Sequence, residues 1–120
     1  MDISYDPERR ILWVTARGVW PDEPGHKAAA SQIATLDLPD NAGALIDLRR
    51  VDSDTAPRFT QIALRSDRAT SRLPRRRAYL VNEGVQFGVA RMIQATSPEG
   101  VEIEVFTTED DAIRWLTGMW

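Results

Sequence analysis

The stretch from Arg75 to Trp120 constrains this chain most, because it alternates strand, helix, strand and helix and marks its own boundaries. Arg77 to Asn82 has strand character in Ala78-Tyr79-Leu80-Val81. Val85, Val89, Met92, Ile93 and Thr96 then recur at helical spacing until Pro98 and Gly100 end the run. Val101, Ile103 and Val105 alternate with Glu102 and Glu104, so the next strand has one solvated face. Thr108 precedes Glu109-Asp110-Asp111, which places three carboxylates where free amide hydrogens and the helix dipole favour them. Ala112, Ile113 and Leu116 follow as the inward stripe of a last helix.

Upstream, Ile3 and Tyr5 alternate before the turn-like Asp6-Pro7-Glu8-Arg9, and Ile11 to Val19 alternates loosely, which predicts a hairpin. Asp22 or a neighbour opens a helix with Pro24 in its first turn, Ala28, Ala29, Ile33 and Leu36 at helical spacing, and Leu38-Pro39-Asp40-Asn41 at its close. Ala44 to Leu48 is apolar apart from Asp47, the pattern of a central strand covered on both faces. Thr55 caps a second helix with Pro57 just inside, and Phe59, Ile62, Ala63 and Ala69 form its inward stripe. The order is hairpin, helix, strand, helix, strand, helix, strand, helix. It implies an α/β domain with a mixed sheet of four or five strands, mainly parallel after the hairpin and flanked by four helices. Ile46, Leu48, Leu80, Val89, Ile93, Val105, Ile113 and Leu116 are the expected core, with Trp13, Tyr79 and Phe106 packing on the sheet.

A chain of 120 residues suffices for one hydrophobic core, so residues 1–120 are expected to form a single domain. Zero Cys excludes a disulfide framework and thiolate chemistry and points to a reducing cytoplasm. The N-terminal MDISYDPERR lacks the basic start and apolar core of a signal peptide, and no run approaches the length of a transmembrane segment. His26 is the single His and lies beside Lys27, so no zinc cluster of the usual kind is expected. Gly84 and Gly88 belong to neither a GxGxxG nor a Walker loop, so no nucleotide cofactor is expected. No nucleophile stands with a base, which argues against an enzyme.

Charge is segregated along the chain. Residues 49 to 91 carry ten Arg against Asp52, Asp54, Asp67 and Glu83, a net +6, whereas the remainder carries five basic and fourteen acidic residues, a net −9. Arg58, Arg65, Arg68 and Arg72 fall near one side of the second helix, and Arg75-Arg76-Arg77 follows. Such arginines either pair with the chain's own acids in solvent or receive a carboxylate or phosphate through their fixed fork. A net charge of −3 and the lack of a basic patch with interleaved aromatics argue against nucleic acid. Asp47, which interrupts an apolar strand, is expected to pair with an arginine or to cap a loop at the strand end. On the third helix Phe87 points almost opposite Val85 and Val89, near Arg91 and Gln94, as an exposed aromatic suited to self-association or a partner protein.

Three stretches carry a family resemblance: Ala44-Leu45-Ile46-Asp47-Leu48-Arg49, Phe87-Gly88-Val89-Ala90-Arg91-Met92, and Val105 through Leu116. They resemble bacterial STAS-like (SpoIIAA-like) proteins, the group around the anti-sigma-factor antagonists, whose fold is related to the lipid-binding SEC14 (CRAL-TRIO) fold. The resemblance covers nearly the whole chain in element order. It implies a non-catalytic module that binds a partner protein and is switched by phosphorylation of a serine at the start of the helix after the central strand. Ser53 and Thr55 are the residues nearest that position. The paired serines and following glycine are absent, and Asp52 and Asp54 would repel an added phosphate. Partner contacts are expected around Arg49, Arg50, Arg58, Arg65, Phe87 and Arg91. The occupant is a protein, a second copy of the chain, or a small anionic or lipid ligand.

Overall fold

The computed structural model describes residues 2–18, 23–52, 73–95 and 99–118. Its elements run β1 (Asp2–Asp6), β2 (Ile11–Gly18), α1 (Glu23–Ala34), β3 (Gly43–Val51), β4 (Arg76–Leu80), α2 (Val85–Ala95), β5 (Glu102–Phe106) and α3 (Glu109–Thr117). The strands form one five-stranded sheet in the order β1-β2-β3-β4-β5. The first pair is antiparallel and every later pair is parallel. Three helices stand among the described residues rather than the expected four, and the segment expected to hold the other, Thr55 to Ala69, lies outside them.

The hairpin closes through its aspartate. Asp6 Oδ1 accepts from the backbone N–H of Glu8 at 3.0 Å and of Arg9 at 3.3 Å, a side-chain turn that leaves Arg10 at a φ of 57°. Asp6 then faces Ile11 across the ladder.

Side-chain alternation on the strands builds two apolar clusters, one per sheet face. On the first face Leu12, Val14, Ala16, Ala44, Ile46, Leu48, Tyr79, Val81 and Ile103 pack with Ile33 of α1 and with Val89 and Ala90 of α2. On the second, Ile11, Leu45, Ala78 and Leu80 pack with Ala112 of α3, while Trp13, Phe106, Ile113, Trp115 and Leu116 surround them half-buried. Crossovers of one hand between neighbouring parallel strands keep α1 and α2 on the same face. The helix after the last strand has no further strand to reach and covers the other.

Four of the expected core residues, Ile46, Leu48, Leu80 and Val89, are buried, and Ile93, Val105, Ile113 and Leu116 are half-buried. Two expectations need correction. Ala28 is exposed while Ala29 and Ile33 carry the inward face of α1. Met92 is exposed as well, because Val89, Ala90 and Ile93 define the inward arc of α2 and Met92 lies roughly 100° from its centre at 3.6 residues per turn.

One irregularity sets up the edge of the sheet where β3 ends. Thr15 pairs with Asp47 but Arg17 pairs with Arg50, so β3 carries one extra residue there. This bulge lets Val51 return to the same cluster as Leu48, three positions earlier, and brings Arg50 level with Arg17.

Candidate functional site

The carboxyl ends of β3, β4 and β5 lie side by side, and the chain leaves the last two in opposite directions. α2, after β4, packs on the first face, whereas α3, after β5, packs on the second. A crevice beyond the strand ends at such a divergence is where open α/β sheets offer ligands their backbone groups. Asp47, Arg49, Arg50, Asn82, Gly84 and Glu109 are the residues at this edge.

Asp47 is buried at 6% exposure in a strand whose neighbours are apolar. Burial of a carboxylate is tolerated only where its oxygens are satisfied. Arg49, two residues on, supplies both bonds: Nε to Oδ1 at 3.1 Å and NH2 to Oδ2 at 2.9 Å. Its backbone N–H donates to Oδ1 as well, at 3.0 Å. Burial pushes the Asp47 carboxyl up, but the Arg49 bonds and the charges of Arg49 and Arg50 outweigh it and hold the group below the usual carboxylate range. The same bonds hold the Arg49 guanidinium above its ordinary value against burial, with a contribution from the charge of Glu109 at the start of α3. Asn82 completes the arrangement, since its Nδ2 donates to the Arg49 carbonyl at 2.8 Å and ties the segment after β4 to β3.

Arg50 is exposed beside this pair. Gly84 adopts a φ of 94°, and its carbonyl accepts the N–H of Gly88 at 3.1 Å, so the left-handed residue leads directly into α2. On α2, Phe87 is exposed at 39% and Met92 at 55%. Arg91, one turn beyond Phe87, is exposed and donates to Gln94 Oε1 at 2.8 Å, while Gln94 Nε2 donates to the Ile103 carbonyl at 2.8 Å. The helix thereby covers part of the β5 edge.

The arginine run that opens β4 is built into the fold. Arg76 lies over the Trp115 ring with 4.4 Å from its guanidinium carbon to the ring centroid, and its NH2 donates to the Trp115 carbonyl at 2.9 Å. Its Nε lies 3.3 Å from Glu102 Oε2, an ion pair without hydrogen-bond geometry. Arg77 is buried, and its Nε donates to the Pro74 carbonyl at 2.9 Å. Burial lowers the Arg77 guanidinium below its ordinary value and raises the hydroxyl of Tyr79, its neighbour on the same strand face.

Of the residues expected to meet a partner, Arg49 and Arg50 share the end of β3, and Phe87 and Arg91 share the outer side of α2. Arg58, Arg65, Ser53 and Thr55 lie outside the described residues. Sequence reading missed Asn82, whose signal is an amide directly after a buried strand, and Met92, whose exposure follows from its offset from Val89 and Ile93. Among the described residues no group of three or more His, Cys, Asp or Glu converges as metal ligands, and no helix is long and apolar enough to cross a membrane.

No protein-family profile matches this chain, and no curated protein matches it. Among solved structures it is similar to an uncharacterised protein of the DUF3478 family from Shewanella loihica PV-4, described as having a SpoIIAA-like fold. The two are 20% identical over 96% of this chain and 90% of the other, with a TM-score of 0.64. The chain has the SpoIIAA-like fold that its sequence resemblance implies.

Proposed function

We propose that residues 1–120 act as one STAS-like, non-catalytic protein-interaction module whose partner surface is the outer face of α2 with Arg50 at the adjoining sheet edge. The observation that carries this is where apolar surface is left in water. Among the described residues the exposed large hydrophobic side chains are Phe87 and Met92, and both stand on α2. Full burial of side chains of this size is worth roughly 1.5–3 kcal/mol each, and the chain by itself forgoes about half of that at Phe87 and Met92. Aromatic residues, Met and Arg are also the types enriched in the centres of protein interfaces, and Arg91 lies between the two.

The chemistry at the sheet edge supports a binding role over a catalytic one. Asp47 is the natural candidate for a base, yet its Arg49 pair keeps it ionised and satisfied, far from the poise of a group that exchanges protons near neutral pH. An anionic or lipid ligand would draw on the same arginines. Among the described arginines, Arg49, Arg76 and Arg77 are already engaged within the fold. A cysteine-free chain suits the reducing cytoplasm as its place of work.

Native mass spectrometry of the protein purified from its host tests this. A bound protein, a second copy included, is expected with the wild type and lost in Phe87→Asp and Met92→Glu, with circular dichroism unchanged. A retained small molecule that both variants still hold, with no protein bound to the wild type, would contradict it.

A further inference from the structure

Resting on that interaction surface, we infer that the partner reaches it with an extended, basic segment, which joins the sheet as an antiparallel strand along the open edge of β5, beneath Phe87. β5 ends the sheet order, so one side of it has no strand beside it among the described residues. Glu102 N–H donates to the Arg75 carbonyl and the Phe106 carbonyl accepts from Val81 N–H, so the even-numbered residues of β5 turn their backbone groups toward β4. Ile103 and Val105 therefore turn theirs outward. The Ile103 carbonyl is already met by Gln94 Nε2 at 2.8 Å, a side-chain amide in the place of an added strand's N–H. Nothing among the described residues meets the outward N–H and carbonyl of Val105. A single residue of an antiparallel strand satisfies both by exchanging two hydrogen bonds with it.

α2 overhangs this edge with part of the proposed interaction surface. The chain passes through α2 from the end of β4 to the start of the parallel β5, so the helix runs against the strand direction. Phe87 lies seven residues before Gln94. At 3.6 residues per turn that places it within about 20° of Gln94 around the helix and about 10.5 Å nearer the carboxyl ends of the strands. At about 3.3 Å per strand residue, this is the height of Val105 and Phe106. The exposed Phe87 and the half-buried Val105 thus flank one open slot, and Gln94, held by Arg91 NH1 at 2.8 Å, closes its other end.

The side chains of β5 set the chemistry of the segment. Val105 faces the side of the sheet that α2 covers, whereas Glu102 and Glu104 face the other side and are exposed. A residue paired with Val105 places its side chain beneath Phe87 and is apolar. The residues one and three positions after it stand opposite Glu104 and Glu102, where opposite charge is favourable, and are Lys or Arg. Arg76 meets Glu102, and no described cation meets Glu104. The bias extends along the chain: from Met92 to Ile113 there are six acidic residues and no Lys or Arg. A second β5 would bring acids rather than bases to this edge.

Nuclear magnetic resonance of the isotope-labelled full chain, titrated with a decapeptide of alternating Val and Lys and separately with one of alternating Val and Glu, tests this. The Lys peptide is expected to slow exchange of the Val105 amide hydrogen at least ten-fold and to give backbone contacts across to Val105. The Glu peptide is expected to do neither. Glu104→Lys should weaken binding of the Lys peptide at least ten-fold. Val105→Pro, which removes an outward N–H only, should abolish it with circular dichroism unchanged; should that variant fail to fold, Glu104→Lys decides. A Val105 amide unaffected by millimolar Lys peptide, or equal binding of the two peptides, overturns the strand addition. If Phe87→Asp then still abolishes capture of a host protein while Glu104→Lys does not, the interaction surface stands without the edge. If that capture is also indifferent to Phe87, both fail.

Discussion

Arg49 grips Asp47 with two guanidinium nitrogens and its own backbone N–H, although only one residue separates them along β3. A carboxylate buried in an apolar strand is thereby satisfied from within the strand, and Asn82 ties the segment after β4 to the carbonyl of the same arginine.

Replacing Asp47 by Asn should cost about 1–3 kcal/mol at pH 7, the range for a hydrogen-bonded charged pair whose arginine stays partly in solvent. The carboxyl is held below its unfolded value, so the folded state binds fewer protons than the unfolded state as pH falls toward the ordinary carboxylate range. The stabilisation is therefore fully present above about pH 4 to 5, and it is lost as pH falls through the folded value. Urea unfolding of wild type and Asp47→Asn at pH 7, 5, 4 and 3 should show a constant gap that closes in acid. A gap that widens as pH falls would reverse the assigned sign.

Gly43 and Leu116 set the distance between α3 and the sheet. A Cβ at Gly43 would stand 2.7 Å from Leu116 Cδ2, too close for both to stay in place. Gly43→Ala should cost about 1–2 kcal/mol, the lower range for overpacking, since Leu116 is only half-buried and can shift. In a Leu116→Ala background the same substitution should become nearly neutral, a coupling that a thermodynamic cycle reads directly.

Arg76 anchors the end of α3 through the Trp115 ring and carbonyl. Arg76→Gln should cost about 1 kcal/mol, a modest value because the side chain is partly exposed, and should alter the near-ultraviolet dichroism of the tryptophans. Arg76→Lys is expected to restore little, since an ammonium cannot both stack on the ring and reach the carbonyl with a planar fork.

Thr108 caps α3 with an extended φ of −123° and an Oγ1 that accepts from Asp111 N–H at 3.4 Å. The bond is long, so Thr108→Ala should cost about 0.5 kcal/mol, the low end for a lost cap. Thr108→Asp should be neutral or stabilising in chemical denaturation.

The parts of the fold legible in the sequence were those written in local chemistry. The cap at Thr108 with its three acids, the Asp6 turn and the alternation of Glu102 and Glu104 with Ile103 each follow from bonds or solvent exposure within a few residues. The bulge in β3 was not legible, because an extra residue opposite Ala16 leaves no mark until Thr15 and Arg17 find their partners. The fates of the arginines were hidden for the same reason. Whether Arg76 faces solvent or Trp115 depends on where a helix nearly forty residues later comes to rest. That Asp47 pairs with an arginine was one of the two expectations for it, since a carboxylate in an apolar strand needs a partner. Which arginine it would be was not legible, because the bulge between Asp47 and Arg50 interrupts the two-residue alternation that would otherwise mark Arg49.

The interaction surface itself is tested most directly by photo-crosslinking in cells, with a photoreactive amino acid in place of Phe87 and, in a separate variant, of exposed Asp40. The account predicts a protein adduct, a second copy or another chain, from position 87 that disappears when Met92→Glu is added, and none from position 40. Equal labelling from both positions, or an adduct at 87 indifferent to Met92→Glu, would contradict it.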